Sequence, residues 1–100
     1  MNVVFIEEAS REYSDASVYY ETQQPGLGKR FEEEVDWAIR WLVENPSSLP
    51  LRRGIYRRLN LHIFPYYNPF VVRSSMLWVI AVSHQRRRPE YWITRTEEIA

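Results

Sequence analysis

The sequence predicts an α+β domain in which an N-terminal strand leads into an antiparallel helical hairpin, followed by a mostly antiparallel sheet of three to four strands. Three observations carry this. Apolar residues recur at helical spacing between residues 7 and 44. From about residue 50 the pattern changes to alternation and to short apolar runs, and a β-branched stretch precedes both regions. The chain has 100 residues with no repeat, linker or low-complexity tract, so residues 1–100 are expected to form one domain around one core.

The elements follow in order. "NVVFI" (2–6) is β-branched and aromatic, a short strand. In "EEASREYSDASVYYETQQ" (7–24), Ala9, Tyr13, Ala16 and Tyr20 mark one face of a helix, and the acids of its first turn suit the helix dipole. "PGLG" (25–28) breaks it. Leu27, Phe31, Val35, Ala38 and Leu42 then define a second helix, closing near "ENP". So short a link predicts an antiparallel pair. Further on, Leu59, Leu61 and Ile63 alternate with Arg58, Asn60 and His62, a strand with one buried face. "PFVVRSSMLWVIAVSH" reads as two strands turning near Arg73-Ser74-Ser75, and the uninterrupted apolar run of Leu77 to Val82 predicts a central strand covered on both sides. Pro69 removes a backbone donor, so its neighbourhood is expected to be an edge, a bulge or a turn.

Composition narrows the function classes. With 45% hydrophobic and 15% aromatic residues the chain should fold, and with no cysteine it has neither disulfides nor thiolate chemistry. The N-terminus lacks a basic region followed by a long apolar stretch, and no run approaches the roughly 20 apolar residues of a membrane span. A cytoplasmic protein without membrane contact is expected. The formal charge of zero conceals a split. Residues 1–45 hold ten acids against four bases, a balance of −6, whereas residues 46–95 hold nine arginines against Glu90 alone, a balance of +8. Twelve of the thirteen bases are arginine, which grips carboxylate or phosphate with two parallel bonds and stacks on aromatic rings. The basic half therefore suits an acidic protein segment or nucleic acid.

Chemical motifs are sparse. The three glycines are scattered over turns, so there is no phosphate loop, and two histidines without cysteine make no metal site; neither metal nor cofactor is expected. Glu32, Glu33, Glu34 and Asp36 share a helix and read as a solvated face instead of an acid–base pair. His84 ends the apolar strand, either as a titrating group or as a hydrogen-bonded strand end. Trp37 and Trp41, four apart and off the apolar stripe, either pack under the sheet's C-terminal segment or mark a surface for a second copy or another partner. In "SHQRRRPEYW" (83–92), Arg86, Arg87 and Arg88 repel one another unless something anionic binds them. Pro89 biases Arg88 toward an extended backbone, and Tyr91 and Trp92 are expected to fold back on the sheet and give a guanidinium a ring to stack on.

Taken together, "YYETQQPGLGKRFEEEVDWAI", the "ENP" helix end, "YRRL", "FPY" and "VSHQRRRPEYW" resemble the RelE/ParE superfamily, the toxins of bacterial type II toxin–antitoxin systems, once called plasmid stabilisation proteins. The resemblance runs from about residue 2 to Arg95 and implies growth inhibition countered by a cognate acidic antitoxin, as a homodimer or a heterotetramer with that antitoxin. RelE-type members cleave messenger RNA at the ribosome without metal. Their two sheet lysines fall on Arg58 and Asn60, their arginines on Tyr67 and Gln85, and their tyrosine on Tyr91, so a nuclease would rest on Arg58, His84 and Tyr91. "FPY" and "HQRRRPEYW" are closer to ParE-type members, which bind DNA gyrase. On that branch Arg57, Arg58, Arg73, His84, Arg86, Arg87, Arg88, Tyr91, Trp92 and Arg95 are the residues expected to meet target or antitoxin. A degenerate member that only binds its antitoxin is the third expectation.

Overall fold

Extended, β-branched residues make strand β1 (Asn2–Phe5) in the computed structural model, which describes residues 1–99. Helix α1 (Glu7–Gln23) and helix α2 (Leu27–Glu44) form the expected hairpin, with Ala9 and Ala16 of the first and Phe31, Val35, Ala38, Ile39 and Leu42 of the second buried. The break is shorter than "PGLG" suggests. Gly26 turns the chain with φ 89°, and Gly28 already lies inside α2. A Cβ on Gly28 would sit 2.5 Å from the Ser17 carbonyl oxygen, so glycine is what lets the helices approach this closely. Glu21 then caps α2 from the neighbouring helix, its carboxylate accepting from the amides of Gly26 and Gly28 at 2.9 and 3.1 Å.

The sheet contains β2 (Arg57–Asn60), β3 (Tyr66–Arg73), β4 (Met76–Val79) and β5 (Ser83–His84), in the order β1-β4-β3-β2 with β5 also on β3. Only β1 and β4 run parallel; the other pairs are antiparallel. Ser74 and Ser75, with φ 55° and 60°, make the two-residue turn expected between β3 and β4.

Leu77 to Val79 do lie in the middle of the sheet, but the strand stops at Val79 and pairing resumes only at Ser83. Phe70 pairs with Val79 and Tyr67 with Ser83, so two residues of β3, Asn68 and Pro69, face three, Ile80 to Val82. This is a bulge, one of the outcomes Pro69 allowed. Pro69 accepts from the Ile80 amide at 2.9 Å, so its missing donor points to the side where the ladder is already broken. Asn68, fully buried beside it, finds no protein partner for its amide among the described residues.

Alternation along β3 divides the core. Tyr66 and Phe70 face the helices, where Phe31 and Tyr20 meet Tyr66 at 5.2 and 6.1 Å between ring centres. Tyr67 and Val71 face the other way, and there the C-terminal segment, ending in a 3₁₀ run (Ile93–Ile99), lays Trp92 on Tyr67 and Tyr56.

Three expectations are corrected. Ile63 is 69% exposed instead of buried, because β2 stops at Asn60 and the chain loops through 61–65. That loop is held by Glu34, whose carboxylate accepts from the amides of His62 and Ile63. The acids of α2 are therefore only partly a solvated face: Ser17 donates to Glu32 and Tyr13 to Asp36. Trp37 does not pack under the C-terminal segment: it is 51% exposed and edges against His62, while Trp41 is partly buried against the core.

Candidate functional site

The bulge sets the site, because it turns residues 80–82 toward α1. Glu12 of α1 receives them: its Oε1 accepts from the Val82 amide at 3.1 Å. The same carboxylate accepts both arms of Arg95, at 2.9 and 3.0 Å, and the Tyr91 hydroxyl at 2.6 Å. Arg95 also donates to the Ile80 carbonyl at 3.1 Å. Burial works against the charge on Arg95, yet the bonds to Glu12 outweigh it and raise its pKa. Burial, then the bond to Glu12, pushes the Tyr91 phenol up to about 12. Helix, bulge and C-terminal segment thus converge on one carboxylate.

A second clamp lies after Pro89. Glu90 adopts φ 58°, and its carboxylate accepts from Tyr56 and from Arg53, with the Arg53 contacts at 2.7 and 3.0 Å. The bond from Tyr56 is the main reason that the Glu90 carboxyl titrates below its ordinary range. Trp92 is the anchor between the two clamps. It is fully buried and donates from Nε1 to the Tyr67 hydroxyl at 2.9 Å.

Between these fixed points the arginine loop is presented to solvent. Arg87 lies 3.9 Å above the Tyr91 ring, which is the stacking expected of this segment. Arg86 and Arg88 are exposed and have no side-chain acceptor among the described residues. His84 closes the loop from below. Its Nδ1 accepts from the Arg86 amide at 3.0 Å, and its ring meets Tyr66 at 5.0 Å, so it is a hydrogen-bonded strand end that also lines a cleft with Asp15, Tyr19 and Arg87.

The remaining arginines are dispersed. Arg58 lies 3.9 Å over the Tyr67 ring, Arg57 donates to the Leu49 carbonyl at 2.8 Å, and Arg73 reaches the Ile99 carbonyl at 3.5 Å. The three residues a nuclease would need are not gathered. Arg58 stacks on Tyr67 and His84 on Tyr66, which point to opposite faces of β3, while the Tyr91 hydroxyl is held by Glu12.

Sequence reasoning missed Glu12, Arg53 and Tyr56. For Glu12 a signal existed: it lies three after Ala9 and four before Ala16, so a charge falls within the buried stripe of α1. Among the described residues no cluster of His, Cys, Asp and Glu could hold a metal, and no helix is long and apolar enough to cross a membrane.

This architecture has a counterpart. A chain of the solved structure described as "Chromosomal ParDE TA system from P. aeruginosa" is similar with a TM-score of 0.72 over 84% of this chain and 95% of that one, at 17% identity. The fold is the one the RelE/ParE resemblance implied. No family profile matches this chain, and no curated protein matches it.

Proposed function

We propose that this protein is the toxin of a bacterial type II toxin–antitoxin system, of ParE type, that stops growth by binding DNA gyrase and is neutralised by an acidic antitoxin. The observation that carries the reading is the shared fold with a ParDE system, at a TM-score of 0.72. The geometry of the basic end favours binding over hydrolysis. A nuclease needs its proton-transfer groups within hydrogen-bond reach of one scissile phosphate. Here Arg58 and His84 belong to opposite faces, and the Tyr91 phenol, pushed up to about 12, already donates to Glu12. A fixed loop with Arg86 and Arg88 free to form bidentate contacts suits an acceptor-rich protein or protein–DNA surface instead.

Induced expression in bacteria tests this. The wild-type chain should arrest growth, and changing Arg86, Arg87 and Arg88 together to Ala should abolish arrest while the circular dichroism spectrum and melting transition persist. Tyr91→Phe loses one hydrogen bond to a carboxylate, about 2 kcal/mol, and should stay toxic. Full toxicity of the triple variant overturns the role of the loop; lost toxicity in a folded Tyr91→Phe protein overturns the binding mechanism.

A further inference from the structure

Leu51 and Ile55 bracket the tip Arg52-Arg53-Gly54, and they are 50% and 42% exposed. The turn that carries them is rigid. Arg53 and Gly54 take φ 54° and 65° in a three-residue turn closed by the antiparallel bridge of Arg52 with Tyr56, with backbone bonds of 2.7 Å from the Arg52 amide to the Tyr56 carbonyl and 2.9 Å from the Ile55 amide to the Arg52 carbonyl. Glu90 fastens this turn to the arginine loop through Arg53 and Tyr56. The two projections are therefore fastened together and present one surface.

Its chemistry is one-sided. Within residues 51–58 and 85–91 Glu90 is the one acid beside Arg52, Arg53, Arg58, Arg86, Arg87 and Arg88, with Asp15 of α1 across a cleft from Arg87, and Arg52, Arg86 and Arg88 have no side-chain acceptor among the described residues. Stacking on Tyr67 and Tyr91 fixes the heads of Arg58 and Arg87. A single-stranded nucleic acid would add base stacking on open aromatic rings. Beside the turn Tyr56, Tyr67 and Trp92 are buried and Arg87 covers the Tyr91 ring, so what the turn leaves open is aliphatic, and the one exposed ring near the loop, Tyr19, belongs to the α1 side of Arg87. Carboxylates for the arginines and aliphatic side chains for Leu51 and Ile55 belong together on an acidic protein segment.

We propose that the Leu51–Ile55 turn and the 85–90 loop form a single docking surface for an acidic, aliphatic segment of a partner protein. This deepens the toxin reading and rests on it only for the partner's biological identity. The test is a backbone-amide NMR titration of the full chain with a short synthetic peptide of Glu and Leu, compared with a Glu and Ser peptide and a single-stranded thymidine oligonucleotide. Shifts should cluster at residues 51–56 and 85–91, and the Ser peptide should bind at least about tenfold more weakly. The Leu51→Ser, Ile55→Ser double variant should show the same loss with its other amide shifts unchanged. Equal binding of the two peptides, tighter binding of the oligonucleotide, no binding, or shifts centred on Trp37, His62 and Ile63 would each overturn the proposal. Growth arrest by the unaltered chain is scored separately: its absence rejects the toxin reading and leaves the surface standing.

Discussion

Glu12 is a carboxylate on the buried stripe of α1 with four donors around it, and through them it joins the helix, the bulge and the C-terminal segment. Its pair with Arg95 is mostly shielded, with side-chain exposures of 16% and 17%. Removing one partner of such a pair strands the other, so Glu12→Ala should cost about 3 kcal/mol in urea unfolding, far more than an exposed ion pair. The variant also has an optical signature. Without the carboxylate the Tyr91 phenol loses an acceptor that favours its protonated form, and spectrophotometric titration should find it ionising below the value of about 12 seen with Glu12 present. At this scale the sequence was legible for residues whose partners are near in the chain. The Arg87–Tyr91 stack was readable from "RRRPEY". The partners of Glu12 lie 70 to 83 residues away, and its position within an apolar stripe was the only local trace.

At the scale of elements, periodicity placed both helices and most strand segments along the chain, because burial of one face dictates the repeat. It failed where chain ends meet loops. Ile63 continued an alternation that β2 had already abandoned, since the bonds from Glu34 to the 61–65 loop come from another element. It also joined β4 to β5, because an apolar run carries no mark of a bulge; the proline on the opposite strand did. Gly28 gives a prediction here. Glycine to alanine inside a helix normally stabilises by about 1 kcal/mol. At this position the new Cβ would meet the Ser17 carbonyl at 2.5 Å, and overpacking costs about 1–3 kcal/mol. Overlap should win, and Gly28→Ala should lower the thermal midpoint; a higher midpoint would mean the helices part without penalty.

Over the whole molecule, the charge split became a structural division. The acids sit mainly on the helical hairpin, and the arginines gather on the sheet and its C-terminal cover. The pH dependence follows from individual shifts. Tyr56, Tyr66 and Tyr91, chiefly through burial, are pushed up to about 12 from 10.0, so the unfolded chain ionises first and stability should fall as pH rises from 10 to 12. On the acid side the lowered Glu90 contributes stability above its ordinary pKa, and that contribution is lost as pH falls through its folded value. The stability difference between wild type and Glu90→Gln should therefore be present at neutral pH and vanish in acid.

Whether the proposed toxin acts by binding gyrase with its arginine loop is decided by a supercoiling assay with purified gyrase and relaxed plasmid, run beside a translation mixture in which messenger RNA is followed. The wild-type chain should block supercoiling or trap cleaved plasmid while messenger RNA stays intact, and the Arg86, Arg87, Arg88 triple-alanine protein should do neither. Undisturbed supercoiling together with cleaved messenger RNA would contradict it.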